Sequence, residues 1–279
     1  MLRLAAFADE ISPDLDVQIA TCKTHGVTHV DLRGVAGRNV LDFDKSMRAE
    51  IKKKLADNGL GVASIGSPIG KVKLSEPFDP HFERFKIAVE LAEFFDAPFI
   101  RIFSYYEAFP HGREEVIRRL TKQVEYVQHY RPMLVHENEK DIYGERGTSC
   151  LDLHRNVDSP RLRAAFDFAN FVQAGENPLD NWPLLKPYTM QFHIKDALLG
   201  SGKVVPAGEG DGHIAEILKD ACADGYHGFL SFEPHLAAAG QFSGFSGPTL
   251  FGVAVEALRK LARENNIPLA GDAEKPLQY

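Results

Sequence analysis

The chain has 279 residues, 44% of them hydrophobic and 25% charged, ordinary values for a globular protein large enough to bury a core without disulfide staples. Its formal net charge of −7 comes without a long run of Lys or Arg, so no nucleic-acid partner is expected. Cys22, Cys150 and Cys222 are odd in number and far apart, which excludes a disulfide frame or zinc knuckle; with no membrane span and no signal peptide in MLRLAAFADE, the cytoplasm is the expected location.

In chain order, short runs rich in Val, Ile, Phe and Leu predict strands over 4–8, 29–32, 61–65, 99–103, 133–136, 164–168, 190–194 and 229–232. Between them, apolar residues at helical spacing, such as Val116, Leu120, Val124 and Val127, predict helices over 15–25, 45–58, 81–95, 114–130, 214–223 and 250–265. Shorter helices are expected over 150–156 and 179–185. Asp14, Asp44, Asp79 or Pro80, and Asp211 are the expected helix starts; Gly26, Gly59 and Gly225 are the expected stops. Strands alternating with helices imply parallel pairing through right-handed crossovers. Eight such units predict an α/β fold, a single-domain (β/α)8 TIM barrel over 1–267 with a polar tail over 268–279; an open doubly wound sheet is the alternative. The stretch AAAGQFSGFSGP at 237–248 reads as a lid over the barrel mouth, a long surface loop, or a subunit contact through Phe242 and Phe245. The last reading would make the chain a homo-oligomer. GSGK at 200–203 lacks the first glycine and the Ser or Thr of a phosphate loop.

In a barrel of this kind, function sits where the strands end. The run LVHENEKDIYGERG puts Glu137 directly after a buried strand, and a carboxylate there is costly unless something meets it. The next three strands end alike, with Asp167 in AAFDFANF, His193 in MQFHIKDA and Glu233 in FLSFEPHL. Alone, Glu137 reads as a solvated loop residue, Asp167 as the cap of a turn and His193 as a core histidine. Together they fall on four successive strands, which stand about 4.8 Å apart in a barrel, so the four ends can aim at one point. Three carboxylates and an imidazole suit a divalent ion better than a structural zinc. Mn²⁺ is expected first, with Mg²⁺, Co²⁺ or Zn²⁺ as alternatives. His136 has the opposite strand parity to Glu137 and reads as structural.

From FADEIS to SFEPH, and most strongly in HENE, DFAN, FHIKD, SFEP and PAGEGDGHI, the chain resembles the xylose-isomerase-like TIM-barrel superfamily. That superfamily includes ketose 3-epimerases, inosose and dehydroshikimate dehydratases, and AP endonucleases of the endonuclease IV type. The resemblance implies that Glu137, Asp167, His193 and Glu233 are metal ligands and that Glu137 and Glu233 are also the acid–base pair. Where the superfamily often has Asp-x-x-His after strand six, this chain has Asn170, which is left to bind a substrate hydroxyl. The endonuclease branch adds histidines on earlier strands; SIGSP and RIFSYY offer none, which points to one metal and a small sugar or sugar phosphate.

The chemistry implied is proton loss beside a carbonyl to give a metal-stabilised enediolate, with the proton returned from the other face. Isomerisation, epimerisation and dehydration all use that first step, and isomerase or epimerase is the favoured reading. A metal-dependent dehydratase and a non-catalytic carbohydrate-binding barrel are the alternatives. Lys195, Glu209, Arg101 and Lys71 are further candidates for substrate binding, as is Arg33, each with a surface or structural ion pair as its plainer reading. His235 and Asp196 are expected to support the ligands from behind.

Overall fold

The computed structural model describes residues 1–236 and 246–270. Eight parallel strands close into a barrel: β1 (Arg3–Ala6), β2 (His29–Leu32), β3 (Gly61–Ile65), β4 (Phe99–Ile102), β5 (Met133–Glu137), β6 (Leu162–Asp167), β7 (Thr189–Ile194) and β8 (Phe229–Phe232). Each pairs with its neighbours in sequence, and β1 pairs with both β2 and β8, which closes the cylinder and excludes the open sheet. The outer layer comprises α1 (Leu15–Thr24), α2 (Lys45–Asp57), α3 (Phe78–Phe95), α4 (Arg113–Val127), α5 (Gly147–Val157), α6 (Phe168–Gln173), α7 (Pro178–Leu185), α8 (Ile214–Ala223) and α9 (Gly247–Glu264). Among the described residues, no helix is long and apolar enough to cross a membrane.

Local signals set several of these boundaries. Asp14 accepts the N–H of Asp16 and Val17, and Asp44 that of Met47, so both are caps as expected. Asp211 is not one: its carboxylate accepts the Leu199 N–H at 2.6 Å, and α8 starts behind His213 instead. α3 starts at Phe78 behind Pro77, ahead of the expected Asp79 or Pro80. α6 was not expected at all. Phe168 looks like the last residue of an apolar strand, yet the chain turns helical there because the Asp167 carboxylate accepts the Asn170 N–H at 2.8 Å. GSGK forms the turn of a small hairpin that pairs Asp196–Ala197 with Val204–Val205.

The barrel interior is layered. At its floor Ala5, Ala63, Phe99, Val135, Ala165 and Phe229 pack together. A polar layer includes Asp31, whose Oδ1 accepts from Ser64 Oγ at 2.5 Å and Gln191 Nε2 at 2.7 Å; the same Nε2 reaches Ser231 Oγ at 2.7 Å. Gln191 and Ser231 lie two residues before His193 and Glu233 on the same strands, hence on the same face. This network therefore ties β2 and β3 to the strands that carry the candidate ligands. Residues 237–245, and with them Phe242 and Phe245 of the candidate lid or subunit contact, lie outside the described residues, as do 271–279 of the expected tail. The start of that tail lies against β1: Leu2 donates its N–H to Pro268 O, and Ala270 donates to Leu2 O.

His136 faces outward, buried against the Gly144 turn, where a Cβ would come 2.3 Å from its Cε1. His154 is buried nearby on α5, stacked 4.5 Å from Tyr188, and neither of its ring nitrogens makes a hydrogen bond. Burial, with the neighbouring His136, depresses its pKa to about 3. A folded pKa below the unfolded value contributes stability that is complete above about pH 6.5 and is lost as pH falls toward 3. The loss amounts to about 2 kcal/mol by pH 5. In chelator-treated protein, His154→Phe should flatten the acid limb of a urea-unfolding series between pH 7 and 5 by that amount; an unchanged slope would show that His154 is not held neutral.

Candidate metal centre and active site

Four side chains from β5 to β8 meet at the mouth of the barrel. Glu137, Asp167, His193 and Glu233 are all buried, and their ligand atoms lie within 4.8 Å of one another. Glu137 ends β5 and Asp167 ends β6, each one position from the predicted strand boundary. Asp167 is in register with His193, and His193 with Ser231, which puts Glu233 two residues further on.

Glu137 Oε2, Asp167 Oδ2 and His193 Nε2 are buried and make no hydrogen bond. Groups of this kind are rarely left so without a partner of another sort. Three carboxylates and an imidazole converging with open lone pairs fit a divalent cation, so the residues present suit the group that the strand-end pattern implies. Asp167 also keeps its plainer role, with Oδ1 capping α6 while Oδ2 faces the cluster.

The remaining predicted residues divide. Lys195 is buried with Nζ 3.0 Å from Asp167 Oδ2 and 3.6 Å from Glu233 Oε2. Arg101, also buried, has Nη1 3.2 Å from Glu137 Oε2 and 3.8 Å from Glu233 Oε1. Asn170 is committed to the protein: its Nδ2 donates to Glu137 Oε1 at 3.3 Å and to Asn138 O at 2.8 Å. It holds Glu137 in place. His235 Nε2 lies 3.1 Å from Glu10 Oε1 and 3.6 Å from Glu233 Oε1. Lys71 stands further out, paired with Glu139 at 2.9 Å. Asp196 does not touch the ligands. Its carboxylate accepts the N–H groups of Ala197, Gly208, Gly210 and Gly212, which pins the loop after β7. Glu209, on that loop, is exposed beside a separate depression of about 440 Å³ shared with Lys260 and Glu264. The structure does not bring it to the cluster.

Arg33, a candidate substrate contact at the end of β2, is committed to the protein instead: it donates Nε to Asp9 at 2.7 Å, Nη2 to Glu10 at 2.6 Å and Nη1 to Glu233 at 2.7 Å. Its carboxylate partners Asp9 and Glu10, together with Asn138 and Phe7, were missed. The signal for Asp9 and Glu10 was present in FADE, because the strand-end rule applied to β1 gives these residues. Asn138, within HENE, joins two strands: its amide donates to Asp167 O and accepts the Asp167 N–H, both at 2.9 Å. Phe7 sets its ring edge-on to His193, 5.1 Å between centroids.

The electrostatics separate the carboxylates. Burial opposes ionisation of Glu137, but His193 and Arg101 outweigh it and hold the pKa at about 2. Glu233 also ends well below the usual range, burial being overcome by Lys195, His235 and Arg33. At Asp167 burial prevails over Lys195, and its pKa rises to about 6. His235 is raised to about 9, because its bonds to Glu10 and Glu233 outweigh its burial.

Residues 19–261 match the family described as xylose isomerase-like TIM barrel. Among curated proteins, a 3-dehydroshikimate dehydratase of Bacillus anthracis is 22% identical over 176 residues, covering 62% of each chain. The chain thus spans about three fifths of that relative. Among solved structures, the probable 3-DHS dehydratase of Bacillus anthracis involved in petrobactin synthesis superposes with a TM-score of 0.72 at 20% identity, covering 93% of this chain and 99% of that one. A D-tagatose 3-epimerase-like protein gives 0.74 at 15% identity, covering 95% and 98%. At these identities the two structures show the shared fold.

Proposed function

The chain belongs to the xylose isomerase-like TIM barrel family, and on that premise we propose that it is a metal-dependent isomerase or epimerase of a ketose, a ketose phosphate or a related polyol ketone. The observation that carries this reading is the convergence of Glu137, Asp167, His193 and Glu233 within 4.8 Å, with Glu137 Oε2, Asp167 Oδ2 and His193 Nε2 buried and outside any hydrogen bond. When bound there, a divalent cation, Mn²⁺ being the first choice, supplies a Lewis acid for oxyanion charge that develops beside the reacting carbon.

The chain's own residues do the rest. Glu137 and Glu233 come from β5 and from the end of β8, the two ends of the four-strand arc that carries the cluster. The one in its carboxylate form takes the proton from the carbon next to the carbonyl, and the other, which has to enter the step as the carboxylic acid, gives its proton to the opposite face. Asn170 fixes Glu137 through Oε1, and Arg33 fixes Glu233 through Oε1. The Lys195 ammonium faces the substrate oxygens from beside Asp167. A dehydratase shares the proton-removal step, and the alignment with the Bacillus anthracis dehydratase favours it as the second reading.

The test is a panel of ketoses incubated with Mn²⁺-loaded protein in D₂O and followed by NMR. Deuterium at C1 or C3 together with a new sugar is expected. Loss of water to an enone or dione would transfer the assignment to the dehydratase, and absence of any exchange would remove the catalytic reading.

A further inference from the structure

Resting on the reading above, we infer that the substrate carries an oxyanion, a carboxylate or a phosphate, and that Arg101 and Lys195 receive it.

Cations stand on both sides of the barrel mouth. β5 to β8 bring the four candidate ligands, and Lys195 follows β7 among them. The opposite side carries cations interleaved with aromatic rings: Lys71 lies 4.3 Å from the Phe103 ring, Arg101 4.9 Å from Phe103 and 4.6 Å from Phe7, and Arg33 5.0 Å from Phe7. Phe7 and Phe103 thereby fix the Arg101 guanidinium on two sides. A planar fork held this way is preorganised for a planar or tetrahedral oxyanion.

The cations differ in what remains free. All three nitrogens of Arg33 donate to carboxylates at 2.6–2.7 Å, so Arg33 belongs to the framework. Arg101, 4% exposed, makes one hydrogen bond, from Nη2 to Gly66 O at 3.3 Å, and its Nε has none. Its contacts with Glu137 and Glu233 are Coulombic and lack hydrogen-bond geometry. Lys195, 5% exposed, is close to Asp167, yet Asp167 Oδ2 accepts no hydrogen bond. Two buried cations therefore keep donors available beside the reaction centre.

A divalent ion shared by Glu137, Asp167 and Glu233 draws on the same negative charge that holds Arg101 and Lys195. Their own charge is then left undercompensated in a buried place, which is unfavourable until an anion arrives. A neutral ketose offers only hydroxyls; a sugar acid or a sugar phosphate offers the missing charge together with acceptors for the free donors.

One ketose carrying three different ends tests this. Mn²⁺-loaded full-length protein is titrated calorimetrically with D-fructose, D-fructuronate and D-fructose 6-phosphate, which differ only at the terminal carbon. At least one anionic form should bind tenfold or more tighter than D-fructose, and which one does so separates carboxylate from phosphate. Arg101→Lys, which keeps the charge but loses the fork, and Lys195→Met should each cut that advantage about tenfold or more while Mn²⁺ uptake, measured by equilibrium dialysis, persists. Circular dichroism checks that both variants fold. If neither anion outcompetes D-fructose, or if both variants keep the full advantage, the inference is overturned. Failure of the underlying reading would look different, as absence of Mn²⁺ uptake or of proton exchange on every sugar; exchange on D-fructose as efficient as on its anions would remove only the present inference.

Discussion

Glu233→Gln is expected to lower interconversion of substrate by about 10²–10⁴-fold, the range associated with one general acid or base, while divalent-cation binding stays measurable. The amide keeps the volume and one acceptor oxygen of the carboxylate but cannot take up a proton. The surroundings should tolerate it, because each cation near Glu233 has a second carboxylate. Arg33 retains Asp9 and Glu10, Lys195 retains Asp167, and Arg101 retains Glu137. His235 loses one of the two partners that raise its pKa, and keeps Glu10. The defect should therefore be kinetic, seen in NMR time courses on Mn²⁺-loaded protein whose melting temperature is close to that of the parent. If Glu137 serves as base for one hand of the substrate, deuterium wash-in from that hand alone should survive and so identify which face each carboxylate serves. Parent-level turnover by the variant would take Glu233 out of the chemistry.

The barrel was legible because its signals are local and repeated. Short β-branched and aromatic runs, helical spacing between them, and caps such as Asp14 and Asp44 all depend on neighbours within a few residues. The cluster was legible for a topological reason: in a parallel barrel the ends of successive strands must be adjacent, so Glu137, Asp167, His193 and Glu233 could be grouped without coordinates. Applying that rule to four strands instead of eight is what hid Asp9 and Glu10, and with them the ion pairs that commit Arg33 to the framework.

Other features depend on contacts distant in sequence, which no window can display. Asp211 has the look of a cap, and its carboxylate went to Leu199 across a loop. Glu209 looked available to the site, but the course of its loop is set by Asp196 gripping Gly208, Gly210 and Gly212. α6, with six residues, is too short for periodicity to register. Asn170 has the identity expected of a substrate contact, yet the structure turns its amide toward Glu137. Asp167 admitted two readings because a carboxylate has two oxygens, and here each oxygen has its own place.

That division of labour makes Asp167→Asn the sharpest test of the cation itself. Asparagine is as good an N-cap as aspartate, so the bond from the Asn170 N–H can persist and α6 should stay in place. At the Oδ2 position an uncharged amide replaces the oxygen that faces Glu137, His193 and Glu233, and a ligand is lost without loss of the turn. For the parent protein, Mn²⁺ at one hundred times its dissociation constant should stabilise the fold by about 2.7 kcal/mol, which for a chain of this size raises the melting temperature by about 5–10 °C. If the variant binds about a hundredfold more weakly, the same Mn²⁺ concentration yields about 0.4 kcal/mol, a shift of about 1 °C. Asp167→Ala serves as the contrast. It removes the cap together with the ligand and should melt about 1 kcal/mol earlier even in chelator. A full Mn²⁺ shift in the asparagine variant would mean that the ion binds elsewhere, and the unmatched lone pairs of Glu137, Asp167 and His193 would then require another partner. Loss of the shift in Asp167→Asn, with its chelator melting point intact, would place the ion on this carboxylate, because no change in helix capping could produce that pair of results.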